Sequence, residues 1–308
     1  MTTATTADTA TTAPSEVHRT RAAITVDAPA DVVHRTLTDV LNWPLLYPWI
    51  THTEVVERHG IEDLSRFWAV RPGPEGGLRI WQSRRRVHDA ELRMEFEQEG
   101  TVGAIRRLGG EWLFLPEGDG RCRVESHHWF TCDGDPADTR EELDRHGALQ
   151  MRTLKEAVEE RAAKARSVLR AERSAVVPGT LPEVYARLAR ALGDTAPDAA
   201  ESAEFTTAET ARPDGSSSPA RSVRITRAPH TLVLKHLDPA PEFALHRRVW
   251  RLRSAADGVR VTAEQLAVVR PDTLGDDPAA PDGARHRLLE WLDARAADDL
   301  ATGTGHRV

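Results

Sequence analysis

The run Leu78–His88, LRIWQSRRRVH, carries the densest polar chemistry of the chain. Side chains alternate faces along a strand, so Trp81, Ser83, Arg85 and Val87 share one face and Gln82, Arg84, Arg86 and His88 the other. The second set has the composition of a solvated face, which leaves Arg85 pointing with Trp81 toward the interior. The plain alternative is that all three arginines are solvated and Trp81 only packs. A buried guanidinium must be paired or hydrogen-bonded, because an isolated charge in an apolar medium is costly. Inside a curved sheet it is expected to face a polar cavity. Arginine has donors but no accessible neutral form, so Arg85 suits an anchor or oxyanion stabiliser and not a base. Ser83 could hold a carbonyl or a water.

Other runs supply walls. Met94, Phe96 and Gln98 share a face; so do Trp112 and Phe114, with Gly110 leaving space; so do His128 and Phe130. Trp68 lies between Arg66 and Val70, and Trp43-Pro44 with Tyr47-Pro48-Trp49 makes a stiff aromatic segment. Each ring alone reads as core packing. Together, eight Trp against two Tyr with few polar groups describe a pocket for a flat or extended carbon skeleton. His128, Tyr47 or a bound water could shuttle protons, histidine being the best matched near neutral pH.

Standard constellations are missing from the sequence: it has no P-loop, no GxGxxG after a strand, no HExxH and no GxSxG. Cys122 and Cys132 suit no metal motif, and the neighbours His127 and His128 point to opposite faces of a strand. No metal and no cofactor is expected. The net charge of −7 argues against a general nucleic-acid binder, which would show a basic face. No stretch is long and apolar enough to span a membrane, and MTTATTADTATTAPSE has no signal-peptide character. Two cysteines give no disulfide framework, so a reducing cytoplasm is the simplest home.

These residues must be positioned by a chain of 308 residues, a length for about two domains of ~150 each. Residues 1–18 are Thr, Ala, Ser and Pro and are expected to be a disordered tail. A short strand at Ala22–Val26, a helix from Pro29 to about Val40 and a broken helix at Leu41–Ile50 follow. Strands are expected near 52–58, 64–71, 78–88, 92–99, 104–115 and 121–132, separated by turn signals, then a long helix from Pro136 to about Ala171. That order suits a curved meander around one C-terminal helix, with Gly109-Gly110 as a kink.

The second half repeats the first. Val32–Leu37 resembles Val184–Ala189 at an offset of 152; Ser83-x-Arg85 matches Ser222-x-Arg224 at 139; Trp112 matches Trp250, and Asp119-Gly120 matches Asp257-Gly258, both at 138. Four ordered matches make a duplication, and loss of a segment equal to Leu41–Thr53 accounts for the drop in offset. The expected organisation is α+β, with domains at 19–172 and 173–308 and a last helix at Ala284–Leu300.

Val26-Asp27-Ala28-Pro29, Asp39-Val40-x-x-Trp43-Pro44, Trp81-x-Ser83-Arg84-Arg85, Phe96-x-Gln98, Gly109-Gly110-Glu111-Trp112 and the His128–Phe130 stretch together resemble the aromatase/cyclases of bacterial type II polyketide synthases. The resemblance covers residues 21–170 and, with the diverged second copy, is to the didomain form. It implies two tandem helix-grip domains of the START/Bet v1-like superfamily, which also holds plant pollen-allergen and lipid-transfer domains. It further implies cofactor-independent aldol closure and dehydration of a poly-β-ketone on an acyl carrier protein, the first ring closing between carbons 7 and 12. Ketosynthase and ketoreductase of the same synthase are implied neighbours. On that resemblance Arg85, His128 and Tyr47 are candidate catalytic residues; Trp43, Trp68, Trp81, Ser83, Phe96, Gln98, Trp112 and Phe130 are candidate substrate contacts. Arg84, Arg86, Arg106 and Arg107 could dock an acidic carrier or simply be solvated. Tyr47-Pro48-Trp49 departs from the commoner family pattern, and the second copy has Ala220 where Trp81 stands; the first domain is therefore expected to be active and the second structural or docking. The alternative function is a non-catalytic carrier or chaperone of an apolar ligand on the same fold.

Overall fold

The computed structural model describes residues 16–71, 76–118, 120–197, 199–274 and 283–304. The first half runs β1 (His18–Val26), α1 (Ala30–Thr38), a 3-10 turn (Val40–Asn42), α2 (Trp43–Leu46), β2 (Ile50–His59), β3 (Glu62–Val70), β4 (Leu78–His88), β5 (Arg93–Glu99), β6 (Ile105–Pro116), β7 (Cys122–Cys132) and α3 (Pro136–Glu159). After α4 (Arg161–Ala165) the second half runs β8 (Val168–Val177), α5 (Leu181–Ala191), β9 (Glu201–Ala211), β10 (Ser217–Arg227), β11 (Thr231–His236), β12 (Phe243–Ala255), β13 (Gly258–Val269), α6 (Pro271–Leu274) and α7 (Gly283–Thr304). The sheets have the orders β1-β7-β6-β5-β4-β3-β2 and β8-β13-β12-β11-β10-β9. This is the α+β helix-grip arrangement, two antiparallel sheets each followed by a helix that packs on it: α3 against β1 and β7, α7 against β8 and β13. Among the described residues no helix is long and apolar enough to cross a membrane.

The helices follow from apolar spacing. In α1 the buried residues Ala30, Val33, His34 and Leu37 recur at i, i+3, i+4 and i+7, one stripe of a 3.6-residue period. Buried Gly147, Met151, Leu154 and Val158 form the stripe of α3. Thr180 and Glu183 close a capping box on α5. Each apolar side chain fully buried this way contributes roughly 1.5–3 kcal/mol.

Four expectations need correction. The long helix does not reach Ala171. It ends at Glu159, and Val168–Val177 is a strand whose buried Leu169 and Ala171 alternate with exposed neighbours. Pairing of β8 with β13 overrides the helix propensity of this Ala/Arg-rich stretch. A border between residues 172 and 173 would cut β8; the compact units instead divide at Glu159/Glu160, the second also taking in Pro48–His52 and Trp68–Arg79. Of the expected tail, residues 1–15 lie outside the described residues, and His18 already opens β1. Finally, the second half lacks more than a Leu41–Thr53 equivalent. Matched from the last strand backward, β9 answers to β3, and nothing answers to β2.

Candidate active site in the first sheet

Strand register sets the site. Arg85 lies opposite Phe96, Phe96 opposite Gly110, Gly110 opposite His128, and His128 opposite Thr20, so one inward row crosses β4, β5, β6, β7 and β1. At ~4.8 Å per strand, Arg85 and His128 stand about 14 Å apart along the sheet. The next row is Val87, Met94, Trp112, Ser126 and Ala22.

Gly110 is the gap in the row. A Cβ there would meet the His127 carbonyl oxygen at 2.2 Å and His128 Cδ2 at 2.9 Å. With that space clear, the Phe96 and His128 rings meet edge to face, centroids 5.3 Å apart, and Trp112 closes on His128 at 6.2 Å. Ser126 Oγ lies 2.8 Å from His128 Nε2. Burial pushes the His128 pKa down to about 4, helped by His146 and His127. His146 belongs to α3, so His128 faces the helix; its imidazole is neutral at physiological pH. Trp81, Phe96, Gln98 and His128 keep partial exposure although they share the inward face, as do Leu143 and His146 on α3. The inward face is therefore incompletely covered at this end.

It is covered at the other. Arg85 is 2% exposed and forms a two-pronged pair with Asp63 of β3, Nε donating to Oδ1 at 2.9 Å and Nη2 to Oδ2 at 2.7 Å. Nη1 donates to the Thr38 carbonyl at the end of α1, 3.2 Å, with Met94 Sδ at 3.9 Å. Burial alone would raise the Asp63 pKa; the Arg85 hydrogen bonds and charge outweigh it and hold the carboxyl below its ordinary value. The expected polar cavity at Arg85 is thus occupied by protein, because a carboxylate on the adjacent strand supplies the partner a buried guanidinium needs.

The aromatic segment packs as a wall. Trp43 donates its indole N–H to Leu37 O at 2.7 Å and packs on Tyr47 and Phe67; Phe67 stacks on Trp81 at 4.9 Å. Tyr47 is fully buried, and burial drives its phenol pKa upward. A proton shuttle needs an ionisable and reachable group, so Tyr47 is a wall residue instead. Ser83, 4% exposed, donates to Glu97 O at 3.2 Å. Phe130 is buried against His18. Trp68 does not join this site. Asp63, Ser65 and Phe67 take the inward face of β3, and Trp68, one residue on, turns away to pack with Val223, Ile225, Val233 and Val249. Asp63, Phe67, Ser126 and His146 were not among the candidates. The alternation of Asp63, Ser65 and Phe67 is the available signal for the first two, and that of Ser126 with His128 for the third.

A groove of about 890 Å³ runs along β1 and β4–β7. Phe96, Gln98, Gly110 and His128 border it together with Arg84, Arg86, Glu95, Glu97, Arg107, Glu111, His127 and Trp129. The charged set is the outward one, so the groove opens on the outward face. Four of the arginines there have acidic partners: Arg84 with Glu99 at 2.9 Å, Arg86 with Glu62 at 2.7 Å, Arg107 with Glu97 at 2.7 Å, and Arg106 with Asp133.

The second half fills the equivalent row with other side chains. Arg224 lies opposite Leu234, Leu234 opposite Arg248, and Arg248 opposite Gln265. Arg248 thus stands where the first half has Gly110, and Gln265 where it has His128. Arg248 pairs with Asp299 of α7, Gln265 donates to Asp299 at 2.5 Å, and His246 Nε2 lies 2.8 Å from Gln265 Oε1.

Known proteins supply the family. The family model described as polyketide cyclase/dehydrase and lipid transport matches residues 26–137. The granaticin polyketide synthase bifunctional cyclase/dehydratase of Streptomyces violaceoruber is 29% identical over 305 residues, covering 93% of this chain and 92% of that protein. A putative polyketide cyclase of Streptomyces halstedii is 33% identical over 98 residues, 31% of this chain and 87% of that protein. In fold, the crystal structure of the di-domain ARO/CYC StfQ from the steffimycin biosynthetic pathway superposes with a TM-score of 0.78 at 23% identity, covering 93% of this chain and 97% of that one. Being 33% identical over 98 residues to a relative of which it covers 87%, and two-domained in fold like StfQ, the chain belongs to the polyketide cyclase/dehydrase family.

Proposed function

We propose that the chain closes and dehydrates the first ring, between carbons 7 and 12, of a poly-β-ketone carried on an acyl carrier protein, and that the first half does this in the space around His128. The observation that carries the reading is the neutral imidazole, held by Ser126, facing α3 and left partly open by Gly110. A methylene between two carbonyls is acidic enough for a modest base. Imidazole takes that proton while the carbon attacks a distant ketone; the new C–C bond leaves an alkoxide. A pKa near 4 makes the free imidazole a weak base, so the proton moves in step with C–C bond formation, and the resulting imidazolium, a ready acid, returns it to that oxygen. Loss of water with a neighbouring C–H proton then gives the double bond on the way to an aromatic ring. No electrons are exchanged with an outside partner, and no cofactor enters the scheme.

Choosing which methylene meets which ketone is the harder task, and a shaped wall performs it by holding one near-attack conformer. Trp81, Phe96, Gln98 and Trp112 are the assigned contacts, with Trp43, Ser83 and Phe130 behind them. The second half is assigned a structural role, supported by Arg248 and Gln265 in its row. The carrier is assigned to the outward groove, whose lining has six arginines against four glutamates, and the work to the cytoplasm.

Reconstitution tests the reading: a minimal synthase makes the carrier-bound chain, with and without this protein, and with its ketoreductase present. Products with the first ring closed between carbons 7 and 12 are expected only when the protein is added. An unchanged product mixture overturns the reading.

A further inference from the structure

Arg85 and Arg224 occupy equivalent strands, and each joins a carboxylate of the neighbouring strand to the end of the preceding helix; Asp63 is buried and held by two prongs, whereas Glu204 is 48% exposed and held by one. Arg85 of β4 holds Asp63 of β3 and the carbonyl of Thr38, the last residue of α1. Arg224 of β10 is 4% exposed, holds Glu204 of β9 at 2.6 Å, and donates to the carbonyl of Leu192, the cap residue of α5, at 2.6 Å. A cation at a helix C-terminus satisfies an orphan carbonyl and meets the negative end of the helix dipole. The arrangement persists in a copy whose interior row is filled with Arg248 and Gln265. It therefore answers a need of the fold common to both halves.

In the first half the lock has a further consequence. The chain leaving Thr38 turns at once into the aromatic wall, with Trp43 tied back to Leu37 O and packed on Phe67, which stacks on Trp81. Thr53 Oγ1 donates to Val40 O in the same turn, 2.8 Å. Moving the end of α1 moves this wall.

We infer that Arg85 is a positioning residue that works through Asp63 and the end of α1, fixing the Trp43–Tyr47 wall that selects the ring closed, and that its guanidinium does not act on the substrate. The inference rests on the reading that the first half houses the reaction. It separates two roles, because an arginine that stabilises an oxyanion would keep working, or work better, once its carboxylate partner is neutralised.

The test uses the full chain. Variants are Asp63→Asn, Arg85→Gln, their double, Asp63→Glu, and the second-half double Arg224→Gln with Glu204→Gln. Asp63→Asn and Arg85→Gln are each expected to raise the ratio of mis-cyclised to correct product by a common factor of about tenfold to hundredfold, the cost of a roughly 1 Å misplacement. The double variant should show that same factor, not its square. Asp63→Glu keeps the charge, as Glu204 does for the equivalent Arg224, and should raise the ratio far less than Asp63→Asn. The second-half double should lower the melting temperature and leave the ratio unchanged. If Arg85→Gln fails to fold, the neutral double is compared with Asp63→Asn. Hydrogen exchange needs no substrate: amides of residues 39–47 should exchange faster in Asp63→Asn and in the double variant. Normal products from Asp63→Asn beside a defective Arg85→Gln would overturn the inference, as would an equal product shift in the second-half double or unchanged exchange over 39–47. Absence of cyclisation by the wild type overturns the proposed function alone and leaves the exchange result to decide the lock.

Discussion

Replacing His128 by glutamine probes the imidazole on a side chain the molecule already accepts, since Gln265 fills the same row position in the second half. The folded pKa of His128 is about 4, against an ordinary value of 6.5. A group whose folded pKa is depressed binds fewer protons folded than unfolded, so stability is full above about pH 6.5 and falls as the pH drops toward 4. Across that window the wild type should lose up to about 3 kcal/mol through this one ring, at about 1.4 kcal/mol per unit. His128→Gln should lack that loss, so its denaturation free energy should fall less steeply by about the same ~3 kcal/mol between pH 7 and pH 4. His246, also near 4 by burial, adds an equal background to both proteins. The assay is denaturant unfolding across pH, beside NMR titration of the imidazole resonance missing from the variant. At pH 7 the variant should fold and lose roughly 10²–10⁴ of its rate of ring formation, the usual worth of a positioned acid–base group. An imidazole titrating near 6.5, or parallel stability curves, would refute the buried neutral ring; full activity would refute its role.

Other outcomes are fixed as directly. Gly110→Ala, whose methyl meets backbone at 2.2 Å, should cost about 1–3 kcal/mol in thermal unfolding and displace the His128 ring, read as a shift of its NMR signal. Asp299→Ala strands Arg248 in the second half and should cost about 3 kcal/mol without altering the product mixture. Arg107→Glu repels Glu97 and an acidic carrier together; KM for the carrier-bound substrate should rise with a weaker salt dependence, at unchanged kcat.

The strands of the first half were legible because alternation and turn residues agree there: the run Leu78–His88 coincides with β4, and the others shift by a residue or two, except β1, which starts four residues before the expected Ala22. The inward course of Arg85 follows from the same alternation. Its partner does not, because Asp63 lies 22 residues away and meets Arg85 only once β3 and β4 are in register. Trp68 shows the sensitivity to phase: one residue separates the inward Phe67 from the outward Trp68, and an aromatic pair carries no sign of which is which. The helix end was misplaced because Arg, Ala and Glu between 161 and 173 favour a helix locally, while the partner strand that recruits them lies some ninety residues downstream. His146 reaches His128 through helix packing, which short-range patterns do not encode, whereas Ser126, two residues before His128 on β7, follows from alternation alone.

The paired glycines of β6 leave the sheet one backbone thick. A methyl on Gly109 would strike the Trp129 ring at 2.5 Å on one face, and a methyl on Gly110 the His127 carbonyl and the His128 ring on the other. Neither position accepts a side chain without displacing its neighbours, so this point of β6 is closed to gradual change during divergence. New tastes for chain length or ring size must arise instead where side chains can be exchanged singly, on Trp81, Phe96 and Gln98 or on the facing turns of α3, with the glycine pair as the fixed floor beneath them.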